Sequence, residues 1–389
     1  MKANPGGQID SNAVIGRDQL IEIIWGILGH QSLVITAERR IGKTTVLKKL
    51  RDQPHAGWVP VYQDLEGCHS AMDFAMLVYK EIRQFLGNKN KAARRAKEFL
   101  TALGGIEIGG VVRLPEIARA PWKDVLTQSV EDLTNENDAA GTKLLFLWDE
   151  MPFMLANIRD REGEQTAMEV LDLLRALRQT HSGLRMLITG SIGLHHVLTS
   201  LRDQNYGNSP LNDMAKVDVP PLEAPDAAKL AALLLEGEGI RISDTQAANA
   251  TARDADCFPY YIHHIAKTLK IRGLDANPAT VAQVVATQLV DPNDPWDLAH
   301  YRDRIPIYYG NDQDAVRLIL DELAAGNELS SVRELLAMLK GASNFDDREK
   351  LLRLLSLMER DHYLARNTEG RYAFRFSLIR RWWKINRGL

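Results

Sequence analysis

The sequence predicts an α/β fold: a doubly wound parallel sheet, a helical lid after it, and a C-terminal winged helix-turn-helix domain. Three observations lead there. Apolar, β-branched runs alternate with stretches of helical spacing over the first half of the chain. One such run, Ser32 to Thr36, passes through a tight loop directly into a helix at Thr44 to Leu50. Another, Lys143 to Glu150, is too continuously apolar for a half-exposed strand and ends in two carboxylates.

Residues 1–12 are polar and Gly-containing, and read as a short flexible leader. The sheet is expected within residues 13–223, from Ser32 to Thr36, Trp58 to Tyr62, Lys143 to Glu150, Leu184 to Ser191 and Ala215 to Val219. Between the second and third of these the distance is long for a simple crossover. It holds a helix from Ala71 to Phe85, a basic helix from Asn88 to Ala102, a Gly-rich break and a helix from Pro121 to Leu133, so residues 88–120 read as an insertion. The basic helix reads as a solvated face, with contact to nucleic acid or an acidic partner as the sharper reading.

Residues 224–294 are helix-rich and form the expected lid, opened by Pro225-Asp226 and continued by helices beginning near Asp244, Pro259 and Pro278. His263 and His264 are neighbours on a helix and cannot both face one metal, so they read as structural, as do His195 and His196. Asp291 to Gly310 reads as a linker or connecting helix. The domain at 295–389 is expected to contain amphipathic stretches at Gln313 to Ala324, Ser331 to Leu339 and Asp346 to Arg360, then a hairpin around Asn367 to Gly370. The final stretch from Arg375 to Arg387 mixes cations with aromatics. It suits phosphate-backbone contact, yet Phe376, Ile379, Trp382 and Trp383 fall at helical spacing and suit packing equally.

The loop between the first strand and its helix is Ala37-Glu38-Arg39-Arg40-Ile41-Gly42-Lys43-Thr44. This is the order of a P-loop, in which backbone N–H groups and the helix N-terminus wrap phosphates. Gly42 permits close approach, Lys43 neutralises the β- and γ-phosphates, and the Thr44 hydroxyl is one residue on, where it can ligate Mg²⁺; Thr45 is the lesser candidate. Ala37 stands where the pattern has its first glycine, and alanine is small enough for that position. At the other strand end, Asp149 is expected to hold the metal and Glu150 to act as base toward the attacking water. Thr189 or Ser191 is positioned to sense the γ-phosphate. The residues therefore predict binding of ATP and Mg²⁺ and hydrolysis of the ATP.

The ordered set Ile15-Gly16-Arg17-Asp18, Arg39-Arg40 with Gly42-Lys43-Thr44, Trp148-Asp149-Glu150, Thr189-Gly190-Ser191, Ser209-Pro210-Leu211 and Phe258-Pro259 resembles the AAA+/STAND class of P-loop ATPases. Within that class it is similar to the archaeal-type ATPase group, which has bacterial members. The resemblance covers the chain from about residue 13 onward. It implies that Gly16 and Arg17 lie near the adenine and that Pro259 belongs to a lid touching the nucleotide. It also implies a regulatory ATPase switch controlling a protein partner or a homo-oligomer, in a setting such as bacterial defence or mobile elements. Cys257 and Asn212-Asp213 depart from the pattern, and the latter removes an arginine that could have completed the site, leaving Arg202 as a substitute.

Two other functions fit the same residues: a DNA-binding AAA+ ATPase using its winged helix on duplex DNA, and a nucleotide-binding scaffold without turnover. The formal net charge of -3 argues against coating nucleic acid by bulk electrostatics. Two cysteines in unrelated contexts indicate neither a disulfide framework nor a zinc site, and a reducing cytoplasm is the expected location. No run approaches a membrane span in length.

Overall fold

In the computed structural model the described residues are 1–86, 106–108, 111–113, 122–190, 194, 196–197, 209–326, 329–343 and 345–389. The expected basic helix at 88–102, Ser191, His195 and Arg202 lie outside them. The chain divides into two compact units, one of residues 18–36 and 43–219, the other of residues 1–17, 37–42 and 220–389.

The first unit is built on a five-stranded, all-parallel sheet. Its strands are β1 (Leu33–Thr36), β2 (Trp58–Asp64), β5 (Lys143–Asp149), β6 (Leu184–Gly190) and β7 (Ala215–Asp218), in the order β2-β5-β6-β1-β7. A further antiparallel pair, β3 (Ile106–Ile108) with β4 (Val111–Arg113), falls inside the expected insertion. Helices α1 (Asp18–Leu28), α2 (Lys43–Asp52), α3 (Ala71–Leu86), α4 (Trp122–Ala139), α5 (Met151–Glu162) and α6 (Glu164–Thr180) connect the strands. Burial explains the sequence of one interior strand: Leu144 to Asp149 of β5 are all buried, as a strand covered on both faces requires. Trp148 stacks on Phe146 at 4.8 Å, meets Phe74 edge-on at 5.2 Å, and donates its indole N–H to Gln63 Oε1 at 2.7 Å. That bond satisfies the one polar group such a ring brings into a core.

The second unit opens with residues that the sequence suggests are mobile, and here the structure differs. The Met1 ammonium donates to Leu233 O at 3.3 Å, Ala3 N–H to Glu238 Oε1 at 2.7 Å, and Asn4 N–H to His263 Nδ1 at 3.1 Å. The segment is tied down by backbone donors, which composition does not reveal. The lid is α7 (Ala224–Gly237), α8 (Ala247–Asp254), α9 (Pro259–Arg272) and α10 (Pro278–Leu289). Proline lies in the first turn of three of them, and Asn277 with Thr280 closes a reciprocal capping box at α10. Beyond two short helices, α11 (His300–Asp303) and α12 (Ile305–Tyr309), come α13 (Gln313–Ala325), α14 (Val332–Ser343), α15 (Arg348–Arg360), the hairpin β8 (Leu364–Arg366) with β9 (Tyr372–Phe374), and α16 (Ser377–Arg387). Ser330 bridges to Tyr372. Three helices, a hairpin and this added bridge are the order expected of a winged helix.

His263 supplies a measurable check on the lid. It is 2% exposed, and burial pulls its imidazole down to about 4 from 6.5. Because the unfolded chain takes up this proton first, stability is complete above pH 6.5 and falls as the pH drops to 4, by about 3 kcal/mol. In urea titrations the loss of stability between pH 7.5 and 4.5 is expected to shrink in His263→Gln; an undiminished loss would assign the acid sensitivity elsewhere.

Candidate nucleotide site

At the carboxyl end of the parallel sheet, two segments over a hundred residues apart in the chain converge. Thr44, in the first turn of α2, donates its hydroxyl to Asp149 Oδ2 at 2.6 Å. Thr189, near the end of β6, donates to Asp149 Oδ1, and the Glu150 N–H reaches the same oxygen at 3.2 Å. The strand order produces this meeting: β6 lies between β1 and β5, so the end of β1, the start of α2 and the end of β5 share one edge of the sheet. Tyr62 from β2 approaches Asp149 Oδ2 at 3.5 Å. Burial, then the Asp149 and Asp64 carboxylates, raise its phenol, so it stays protonated and a donor.

The Thr44 hydroxyl and the Asp149 carboxylate are the groups here that could hold a hard cation. The Thr44 proton is spent on Asp149, which leaves a hydroxyl lone pair free to bind a hard cation beside a carboxylate. A single carboxylate and hydroxyl are few ligands, and phosphate oxygens suit the remainder of such a shell. Lys43 opens α2 and is buried, and Thr45 behind it is half-buried. Glu150 has a left-handed backbone (φ 56°) at the N-terminal end of α5, which turns it off the strand where Asp149 continues it. Thr189, a candidate sensor, donates to the carboxylate from the other side.

The loop at 37–42 belongs to the second unit, and its surroundings there differ from those expected. Arg40 (φ 67°) and Gly42 (φ 101°) both have positive φ, the left-handed region that glycine adopts without cost. Ala37 is outside that region of backbone space, so its position does not require glycine. Ile41 is buried, and its carbonyl accepts from Arg17 Nη2 at 3.0 Å while Arg17 Nη1 reaches Pro220 O at 2.8 Å. Burial pulls the Arg17 guanidinium down to about 10, against the pull of Asp226. Arg17 thus braces the loop by its backbone. Gly16 beside it has φ 68°, and a Cβ there would stand 2.7 Å from Asp226 Cβ, so the backbone demands glycine. Pro259 is the first residue of α9.

Arg39 and Arg40, which resemble solvated loop cations in the sequence, both pair with Asp297 Oδ2 at 3.1 Å, and Arg40 lies 4.5 Å over the Tyr260 ring. Glu38 is buried. Its carboxylate accepts from Arg39 N–H at 2.8 Å and lies 3.4 Å from Arg304 Nη1 and 3.8 Å from His300 Nε2. Burial alone would raise this carboxyl, but Arg304 and then His300 outweigh it and hold the group near about 2. Asp297, Tyr260 and Arg304 escape sequence reasoning because no local pattern links residues more than 200 positions apart.

The aromatic residues of the final stretch resolve toward packing. Phe376, Ile379, Trp382 and Trp383 are buried, Phe376 meets Phe258 edge-on, and Trp383 Nε1 and Arg387 both bond Asp321. Among the described residues no helix is long and apolar enough to cross a membrane.

Residues 27–198 match the AAA domain family. Among solved structures, the chain is similar to a Walker-type ATPase of Pyrococcus abyssi, with 14% identity, 96% of this chain and 97% of that one covered, and a TM-score of 0.66. The ADP form of the Aeropyrum pernix ORC2 protein is 13% identical over 98% of this chain and 95% of that one, with a TM-score of 0.49. The Aeropyrum pernix ORC1 protein in complex with DNA is 12% identical over 97% and 95%, with a TM-score of 0.43. No curated protein matches by sequence. The first of these likenesses supports the P-loop ATPase fold.

Proposed function

We propose, from an AAA-type domain that places a P-loop threonine on a strand-end aspartate, that this chain binds ATP with Mg²⁺ and hydrolyses it slowly as a regulatory switch. The observation that carries the reading is the Asp149 carboxylate shared by the Thr44 and Thr189 hydroxyls. Thr44 and Asp149 would hold the cation, which supplies charge neutralisation for the phosphates. Lys43 would pair with the phosphates themselves, and Glu150 would orient and deprotonate the attacking water. Nucleotide state is then read by the C-terminal helical region, because its side chains hold the loop at Glu38, Arg39 and Arg40. A protein partner or a second copy of the chain would receive that signal. The shift is bounded by the difference in nucleotide affinity between the two seatings of that region, so tight binding alone would establish no switch.

The test is calorimetric titration of the full chain with ATP and with ADP in Mg²⁺, alongside phosphate release with and without duplex DNA. Binding of both nucleotides with slow release is expected. Binding with no release would favour the scaffold reading, a strong stimulation by DNA the DNA-directed one, and no binding of either nucleotide would end all three.

A further inference from the structure

Glu38 is an odd residue for a loop whose task is to hold anions. Its side chain is 1% exposed, and Arg304, which faces it, is 5% exposed. Arg304 has no slack: Nε donates to the Tyr363 hydroxyl at 2.8 Å, Nη2 to Asp361 O at 2.7 Å, and the guanidinium lies 4.6 Å and 4.3 Å from the Tyr301 and Tyr363 ring centres. Tyr363 donates on to Tyr301 O. One guanidinium therefore joins the loop to α11, to the end of α15 and to the residue before the hairpin.

Resting on the reading that loop 37–44 binds nucleotide phosphates, we propose that Arg304 is a positioning residue of that site, acting through Glu38, so that seating of the C-terminal region and retention of nucleotide form one equilibrium. Two buried charges tolerate burial best together: without Arg304, the Glu38 carboxylate keeps only His300 at 3.8 Å and the Arg39 N–H at 2.8 Å. With the pair made, the Glu38 charge is neutralised and the carboxylate fixes the Arg39 backbone N–H. With the pair broken, a bare carboxylate stands in a loop built for phosphate and repels it. Nucleotide is held while Arg304 is seated and released when it leaves.

The experiment follows release of a fluorescent methylanthraniloyl-ADP from the full chain during a chase with excess unlabelled ADP, with thermal melting measured in parallel. Arg304→Gln is expected to speed release by about tenfold or more, and Glu38→Gln, which leaves no carboxylate to repel phosphate, by clearly less. Glu38→Gln is nearly isosteric and keeps the fold testable if the Arg304 variants prove unstable. The double variant is expected to release no faster than the faster single one, because both break the same contact. Arg304→Lys, which keeps charge but not the three-way fork, should fall between wild type and Arg304→Gln. Lower melting temperatures with unchanged release, or single effects that multiply in the double variant, would overturn the proposal. A wild type that binds no ADP would instead sink the nucleotide reading beneath it.

Discussion

Lys43→Ala is expected to lose nucleotide binding altogether under conditions where the wild type saturates, a loss of about a hundredfold or more in affinity. Removing one partner of a buried charge contact typically costs about 2–5 kcal/mol, and Lys43 is the buried cation at the start of α2, one residue before the Thr44 hydroxyl. Among the described residues, Arg39 and Arg40 are engaged with Asp297, and Arg17 is committed to two backbone carbonyls. Calorimetry with ATP and ADP decides the matter, and near-normal affinity for either would move the phosphate site away from this loop.

Glu150→Gln has the second large effect and a different signature. The substitution keeps size and shape but cannot take a proton, so phosphate release is expected to fall by about a hundredfold to ten-thousandfold while ATP binding is retained. The structural ground is the division of labour at the strand end: Asp149 accepts from Thr44 and Thr189, whereas Glu150 turns away from the strand into α5. Single-turnover phosphate release with bound ATP measures it. Unchanged release would remove Glu150 from the chemistry, and if the wild type were equally inert the protein would be a nucleotide-binding scaffold.

The sheet was readable because parallel strands buried on both faces advertise themselves as unbroken apolar runs, and β5 from Leu144 to Trp148 is such a run. The Thr44 and Asp149 meeting followed from the same logic, since strand ends gather on one edge. The role of Thr189 was only half legible: a hydroxyl at a strand end marks proximity to the site, but its bond to Asp149 depends on strand order. The loop's outer contacts were not legible at all. Asp297 with Arg39 and Arg40, and Arg304 with Glu38, are tertiary pairs between distant parts of the chain, and a charged residue looks the same in sequence whether it meets water or a buried counter-ion. The anchoring of Met1 to Asn4 was misread for a related reason, because backbone donors carry no compositional mark.

The grouping of residues 37–42 with residues 220–389 bears on how the protein is dissected in the laboratory. A fragment ending after β7 would keep every strand of the parallel sheet, Lys43, Thr44, Asp149 and Glu150, and would look like a self-sufficient catalytic piece. It would nonetheless have stripped Glu38, Arg39 and Arg40 of their counterparts and bared a carboxylate and two guanidinium groups that the intact chain keeps matched. Failure of such a fragment would report an orphaned loop, not a missing active-site group, so point substitutions in the whole polypeptide are the sounder route to assigning roles.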